Sequence, residues 1–450
     1  MMRIHLTRTS ALLGAVLLLG PLVAEAQTGS TRPRRVNSRS TTRTEKRTNA
    51  DGSAAPLLDV EPVNTSTRPA RRANSTPAAN PDTPLLNPTP SAAGAGGSSA
   101  NASSAVNAAP GAGSPAGTSR AFSLLQQKQY EAARAEARQA ATLDPTDSDA
   151  WKIAGFAAMN LKQYEDAVND LQKALDLQRA AKQEDPFTVD ALAHAYILTE
   201  KFDRALPLLA LATARKEPKA DPAMLYYRGL AEYRTGKAAD AERTFNAVVK
   251  ENPKDAAALF FLGQLAYERK DLDGAIAALN RATLGDARSV SAWALLTTAY
   301  LQRAGAATVP ARADADYLNA VRAAEGLTRL RTDAEANTLL GQALIGAKQF
   351  PRAASVLERA TAGADASGVA LYLLGVAQSR AKNFPRAISA LERAAAKTPT
   401  DVNIYRELGY AYEISKQYAK ALAAYEKGAE LAPGDAYFTE SVERVRPYAK

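Results

Sequence analysis

The sequence predicts an all-α protein built as a repeat array, on three observations. Two stretches are nearly the same, KQFPRAASVLERA from Lys348 and KNFPRAISALERA from Lys382, and they begin 34 residues apart. From Arg120 onward, apolar residues recur at helical spacing. Alanine is frequent throughout, and it is both the strongest helix former and small enough to let helices pack closely. A fixed period in this range marks stacked repeats, because one such unit cannot bury its apolar face alone.

Each unit begins with a helix that carries a small residue at its centre. Ala154-Gly155, Leu262-Gly263, Leu340-Gly341, Leu374-Gly375 and Leu408-Gly409 mark that place, and Gly229 holds it after Arg228. A second helix opens on an aromatic or Leu three residues before an alanine. The pairs are Tyr130/Ala133, Tyr164/Ala167, Phe202/Ala205, Leu272/Ala275, Phe350/Ala353, Phe384/Ala387 and Tyr418/Ala421. Pro351 and Pro385 suit the first turn of a helix, where a missing N–H loses no intrahelical bond. Pro145, Pro253, Pro399 and Pro433 close units. Two places depart from the period. The link LQRAAKQEDPF after the second unit runs long. The sixth unit inserts LQRAGAATVPARADAD, residues 301–316, which reads as a functional loop, a helix extension or, the reading favoured here, a plain loop insertion.

Trp151 and Trp293, then Tyr196, Tyr300 and Tyr412, then Phe245 and Tyr425, complete a pattern that resembles the tetratricopeptide repeat. The resemblance spans about residues 121–436, roughly nine units, with a capping helix expected at 437–447. It implies a right-handed superhelical solenoid of antiparallel helix pairs. It also implies that a peptide or helix of another protein docks along the concave face lined by the first helices. His194, Tyr226, Tyr233, Phe260, Gln264, Tyr267, Tyr372, Val376 and Tyr410 are the expected lining, since Tyr226/Tyr233 and Phe260/Tyr267 each share one helical face. Aromatic side chains carry much of the energy of interfaces, but packing between units would use the same rings, and both readings stay open. Lys152 fits the first place of the carboxylate clamp found in chaperone-binding members of the family. Phe156 stands where that clamp needs asparagine, so the match is lost.

The ends of the chain differ in character. MMRIHLTRTS, then ALLGAVLLLGPLV, then AEA form the three parts of a secretory signal, residues 1–26, with cleavage expected after Ala26. Its thirteen apolar residues are short of the roughly 20 that span a bilayer, and no other segment is a spanning candidate. Residues 27–119 are sparse in bulky apolar residues and read as a disordered tether. Its first part is basic, with Arg32, Arg34, Arg35, Arg39, Arg43, Arg47, Arg68, Arg71 and Arg72, and its second part is rich in Ala, Gly, Ser and Pro. Of 56 Lys/Arg and 47 Asp/Glu in the chain, 43 and 41 fall in residues 121–450, so the repeats are nearly neutral and most of the net charge of +9 resides upstream of them. Such an arm is either a plain linker or a binder of an anionic envelope polymer. Nucleic acid is disfavoured, because aromatics for base stacking are missing. Asn64, Asn74 and Asn101 fit the glycosylation pattern, which matters only in a eukaryotic host.

Composition argues against catalysis. There is no cysteine, which excludes disulfides, thiol chemistry and the usual structural zinc sites. The two histidines, His5 and His194, complete no metal or nucleophile motif, and no phosphate loop is present. No catalytic, metal or cofactor residue is assigned. Glu358-Arg359 and Glu392-Arg393 read as solvated helix faces. The expectation is an exported, periplasmic or surface-associated scaffold or adaptor in the bacterial cell envelope, serving assembly, secretion or polymer export. The alternative is a protein that binds or anchors an anionic surface polymer through its Arg-rich arm, with the repeats 120–450 as spacer.

Overall fold

The computed structural model describes residues 115–449. The signal segment, the three Asn motifs, the Arg-rich arm and almost all of the tether lie outside the described residues. Nineteen α-helices follow one another, with no strand among the described residues. They are α1 (Ala116–Gln126), α2 (Tyr130–Leu143), α3 (Ser148–Asn160), α4 (Tyr164–Ala180), α5 (Pro186–Leu198), α6 (Phe202–Ala214) and α7 (Pro222–Arg234). Next come α8 (Ala238–Glu251), α9 (Ala256–Glu268), α10 (Leu272–Gly285), α11 (Val290–Ala306), α12 (Pro310–Leu330) and α13 (Ala334–Gly346). The last are α14 (Phe350–Ala360), α15 (Gly368–Arg380), α16 (Phe384–Lys397), α17 (Val402–Ile414), α18 (Tyr418–Leu431) and α19 (Ala436–Val445), with a 3-10 turn at Arg446–Tyr448. They form nine helix pairs and a terminal cap, an all-α solenoid.

Local chemistry explains where each helix starts and stops. Every first helix after α1 has a side chain that accepts a hydrogen bond from its first-turn backbone. Asp147, Asp185, Asp221, Asp255, Asp333, Asp401 and, for the cap, Asp435 do this, and Ser289 and Ser367 replace aspartate in two pairs. Each such cap contributes about 1 kcal/mol. First helices end differently. In α3, the N–H of Lys162 bonds to the carbonyl of Met159 and that of Gln163 to Ala158. This closing pair requires one residue at positive φ. Lys162 takes it, at φ 60°, and the same place is filled by Lys128, Glu200, Gly236, Lys270, Lys348, Lys382 and Lys416. The left-handed conformation costs a residue with a Cβ about 1–2 kcal/mol, and a cation beside a helix C-terminus returns only about 0.3–1 kcal/mol.

Packing then uses the small residues. Ala133, Ala167, Ala205, Ala275, Ala353, Ala387 and Ala421 are all fully buried, three residues after the side chain that opens each second helix. Across six of the nine pairs a first-helix glycine admits a large side chain. A Cβ on Gly375 would sit 2.4 Å from Leu391 Cγ, and one on Gly409 would sit 2.3 Å from Tyr425 Cε1. Polar side chains join one pair to the next. Tyr196 Oη donates to Gln172 Oε1 at 2.7 Å, Asn280 Nδ2 to Tyr300 Oη at 3.0 Å, and Tyr412 Oη to Glu392 Oε1 at 2.5 Å. Trp151 and Trp293 each donate Nε1 to the carbonyl six residues back, Pro145 and Ala287, and so hold the incoming link.

Four sequence expectations change here. Residues 301–316 are not a loop insertion but lengthen α11 and α12 to 17 and 21 residues, leaving only 307–309 between them. Arg303 accounts for the extension: it holds both oxygens of the buried Asp316 at 2.8 and 2.5 Å and also reaches Asp273. Helix α1 starts at Ala116, so the array takes in residues 116–119 of the segment read as tether. The cap runs 436–445 rather than 437–447, because the following Arg446–Tyr448 tightens into the 3-10 turn. Glu358 and Glu392 do not simply face water, since they accept from Gln378 and Tyr412 of the following pair.

Candidate functional site

Most successive first helices pack against one another, and second helices are kept apart by them. The first helices therefore form the inner row. All nine candidate groove residues lie on this row, but they divide by burial.

Tyr226 and Phe260 are 6% and 2% exposed and belong to an aromatic core rather than to a docking face. Phe245 and Phe261 stack in parallel at 5.0 Å, with Tyr226 5.9 Å from Phe245 and Phe260 edge-on to Phe261 at 5.4 Å. Val376 is buried too. His194 stacks on Tyr227 at 4.8 Å, and burial pushes its imidazole down to about 4, so it is neutral at pH 7. Tyr372 is half-buried, and burial raises its phenol above the ordinary value. Tyr410 is exposed, beside Phe384, with the Arg380 guanidinium 6.0 Å from its ring. Arg380 itself is held by Glu407 through two hydrogen bonds, at 2.8 and 3.1 Å.

Of the remaining three candidates, Tyr233 and Gln264 meet between α7 and α9, and Tyr267 follows Gln264 by three residues on α9. Tyr233 Oη donates to Glu268 Oε1, and Gln264 Nε2 donates to Tyr233 Oη at 2.6 Å and to Glu268 at 3.3 Å. Burial, and then the bond to Glu268, raise the Tyr233 phenol, so it stays protonated as the donor. Gln264 is 8% exposed, and its Oε1 has no hydrogen-bond partner. A buried carbonyl left unpaired costs about 1–3 kcal/mol, and an incoming N–H offsets that cost only by displacing the side chains that now cover the atom. Tyr267, at the equivalent place to Tyr233 one unit on, is half-buried beside this trio. The arrangement offers a ring, an acceptor and a carboxylate to a polar, hydrogen-bonding ligand.

Sequence reasoning missed Tyr227 and Phe261 as the residues that organise the core. A signal was present. Tyr226-Tyr227 and Phe260-Phe261 are doublets, and neighbours on a helix point about 100° apart, so each doublet cannot line one groove with both rings. Glu268 was missed because it reads as an ordinary exposed carboxylate.

Other polar sites are structural. Lys152 is buried between Asp149 at 3.3 Å and Asp185 at 3.4 Å, which ties α3 to the start of α5. An open depression of about 380 Å³ is lined by Arg134, Arg138 and Gln163 among others. Its arginines are engaged by Asp166 and Asp170. Asp170 is fully buried, and burial pushes it up to about 6 against the pull of Arg138. Among the described residues no three His, Cys, Asp or Glu side chains gather as a metal site, and no helix is long and apolar enough to cross a membrane.

A family model described as tetratricopeptide repeat matches residues 119–187, 191–249, 228–291 and 372–436, just over half of the chain. The chain belongs to the tetratricopeptide repeat family. The fold of this family is typically non-catalytic, and its repeats in this chain point to a scaffold for protein–protein interaction. Solved structures similar to it include YrrB, a tetratricopeptide protein with an unusual peptide-binding site, at 19% identity over 44% of this chain and 97% of that one, TM-score 0.37. MamA from Desulfovibrio magneticus RS-1 is similar at 23% identity over 40% of this chain and 97% of that one, TM-score 0.35. A tetratricopeptide repeat protein from Parabacteroides merdae is similar at 12% identity over 58% of this chain and 98% of that one, TM-score 0.37. No curated protein matches the sequence.

Proposed function

We propose that this chain is an exported, non-catalytic adaptor of the bacterial cell envelope that seats a segment of another protein on its inner row of helices. The observation that carries the reading is the unpaired Gln264 carbonyl beside Tyr233, Tyr267 and Glu268. An extended or helical peptide supplies the N–H that this carbonyl lacks, and Tyr267 supplies apolar area beside it. Export is supported by the three-part N-terminal segment ending at Ala26.

The test places a photo-crosslinking residue at Tyr267 of the full chain in its host, with Arg243 on a second helix as the outer-row control. One partner protein is expected from Tyr267 and not from Arg243, and Gln264→Ala should weaken its capture at least fivefold. Equal capture from both positions, or capture indifferent to Gln264→Ala, would overturn the docking site. The amino terminus of the mature protein, read by intact mass, checks export separately. A mature chain that retains residues 1–26 would remove the envelope assignment and leave the docking site standing.

A further inference from the structure

The turns between first and second helices lie along one edge of the array, since every pair except the sixth repeats the same closing hydrogen bonds. Six of these turns carry an exposed lysine at positive φ: Lys128, Lys162, Lys270, Lys348, Lys382 and Lys416. Glycine takes this conformation without strain and does so once, at Gly236. The fold alone therefore does not select lysine. Its recurrence calls for a use of the side chain that the backbone does not supply.

Over the last three pairs the single row becomes double. Arg352, Arg386 and Lys420 stand four residues after Lys348, Lys382 and Lys416, in the first turn of the second helix that each turn leads into. The corresponding residues in the first, second and fifth pairs are Ala132, Asp166 and Gly274, so the doubling is local. Three carboxylates, Asp314 and Glu358 exposed and Glu325 half-buried, answer this double row. Asp314 meets Lys348 at 3.3 Å, Glu325 meets Arg352 at 2.9 Å and Glu358 meets Arg386 at 3.4 Å. Lys382, Lys416 and Lys420 have no carboxylate partner among the described residues, and Lys420 lies over the Tyr412 ring at 5.4 Å. Pairs as exposed as these three are weak and exchange readily for another anion.

We propose that the turn edge of pairs seven to nine binds a linear polyanion, whose evenly spaced charges run along the step of the repeat. A compact anion would meet one or two of these cations, because successive rungs belong to different units. A chain of phosphate, sulfate or carboxylate groups meets them all, and attraction summed along the row gives strongly salt-dependent binding. The site is separate from the inner row, so the array can hold a protein and a polymer together.

The test uses the full chain and long-chain inorganic polyphosphate as the probe. The variant is Lys348→Gly/Lys382→Gly/Lys416→Gly. Glycine relieves the positive-φ turns, so its melting temperature should equal or exceed that of the parent, and lost binding cannot be blamed on unfolding. The Arg-rich arm is present in both proteins, so its contribution is common to both. Binding by the variant should be at least tenfold weaker at moderate salt. Its log–log salt slope should be shallower by about two to three, one step of somewhat under one per lost cation. Polyphosphate should also shield Lys382 and Lys416 from acetylation while Lys250, on an outer helix, stays reactive. Equal affinity and slope in the two proteins would overturn the proposal, as would unchanged acetylation of Lys382 and Lys416. Equal shielding by orthophosphate at the same phosphate concentration would overturn the linear polymer. Binding to anionic lipid vesicles that excess polyphosphate fails to displace would replace it with a membrane surface.

Discussion

At the scale of single residues, the array is held by buried polar groups whose partners lie one unit away. Asp170 shows the energetic consequence. Its carboxyl is buried on α4, and Arg138 of α2 grips it at 2.7 and 3.2 Å. Burial still holds its pKa near 6, above the ordinary 3.8. A group with a raised carboxyl pKa in the folded state binds its proton more tightly folded than unfolded. The penalty of the ionised form is therefore complete above pH 6 and is relieved as pH falls from 6 towards 3.8. Urea unfolding should show the parent gaining about 1 kcal/mol between pH 7 and pH 5 relative to Asp170→Asn. Matching pH profiles for the two proteins would show that Asp170 does not carry this term. The groove candidates were likewise decided residue by residue. Tyr233 and Gln264 were legible from the period, because it assigns them to the first-helix face. The burial of Tyr226 and Phe260 was not, because it depends on Phe245 and Phe261 filling the same space.

At the scale of elements, helix boundaries were legible wherever chemistry is local. Tyr130, Tyr164, Phe202, Phe350, Phe384 and Tyr418 are the first residues of their helices, as the sequence predicts. The sixth pair was misread because its extension carries Gly305 and Pro310, which read as loop residues, and a helical reading of 301–316 rests on a contact thirteen residues apart. That contact sets the prediction for this element. Arg303 is the bidentate partner of Asp316, which is 3% exposed. Arg303→Ala leaves a buried carboxylate unpaired and should cost about 3–5 kcal/mol. Hydrogen exchange should report it as lost protection confined to α11, α12 and their neighbours. Protection lost evenly along the whole array, or not at all, would mean that this latch is not what holds the long pair together.

At the scale of the whole molecule, stability is a sum over units and nearest-neighbour interfaces. Removing residues 368–401 takes out one whole 34-residue step and joins Ser367, already a helix cap, to Val402, already a first helical residue. The shortened chain should remain as helical per residue by circular dichroism and unfold cooperatively, with a melting temperature lower by no more than about 10 °C. Removing 17 residues from the same place, 368–384, should abolish cooperative unfolding of the C-terminal pairs, because it deletes α15 and joins the second helix α14 directly to the second helix α16. Cooperative melting of the 17-residue deletion would contradict the repeat account.

By itself, the sequence determined the period, the helix starts, the small residues at the crossings and so the fold. Each of these follows from contacts within one unit, which recur in the text of the chain every 34 residues. Tertiary structure alone decided which first-helix side chains remain available. It also decided that the sixth pair is two long helices, and that the turn lysines share one edge. Those outcomes depend on neighbours from adjacent units, on what fills a shared volume and on which charges come within reach. A period shows that two positions are equivalent. It does not show whether the space between them is filled.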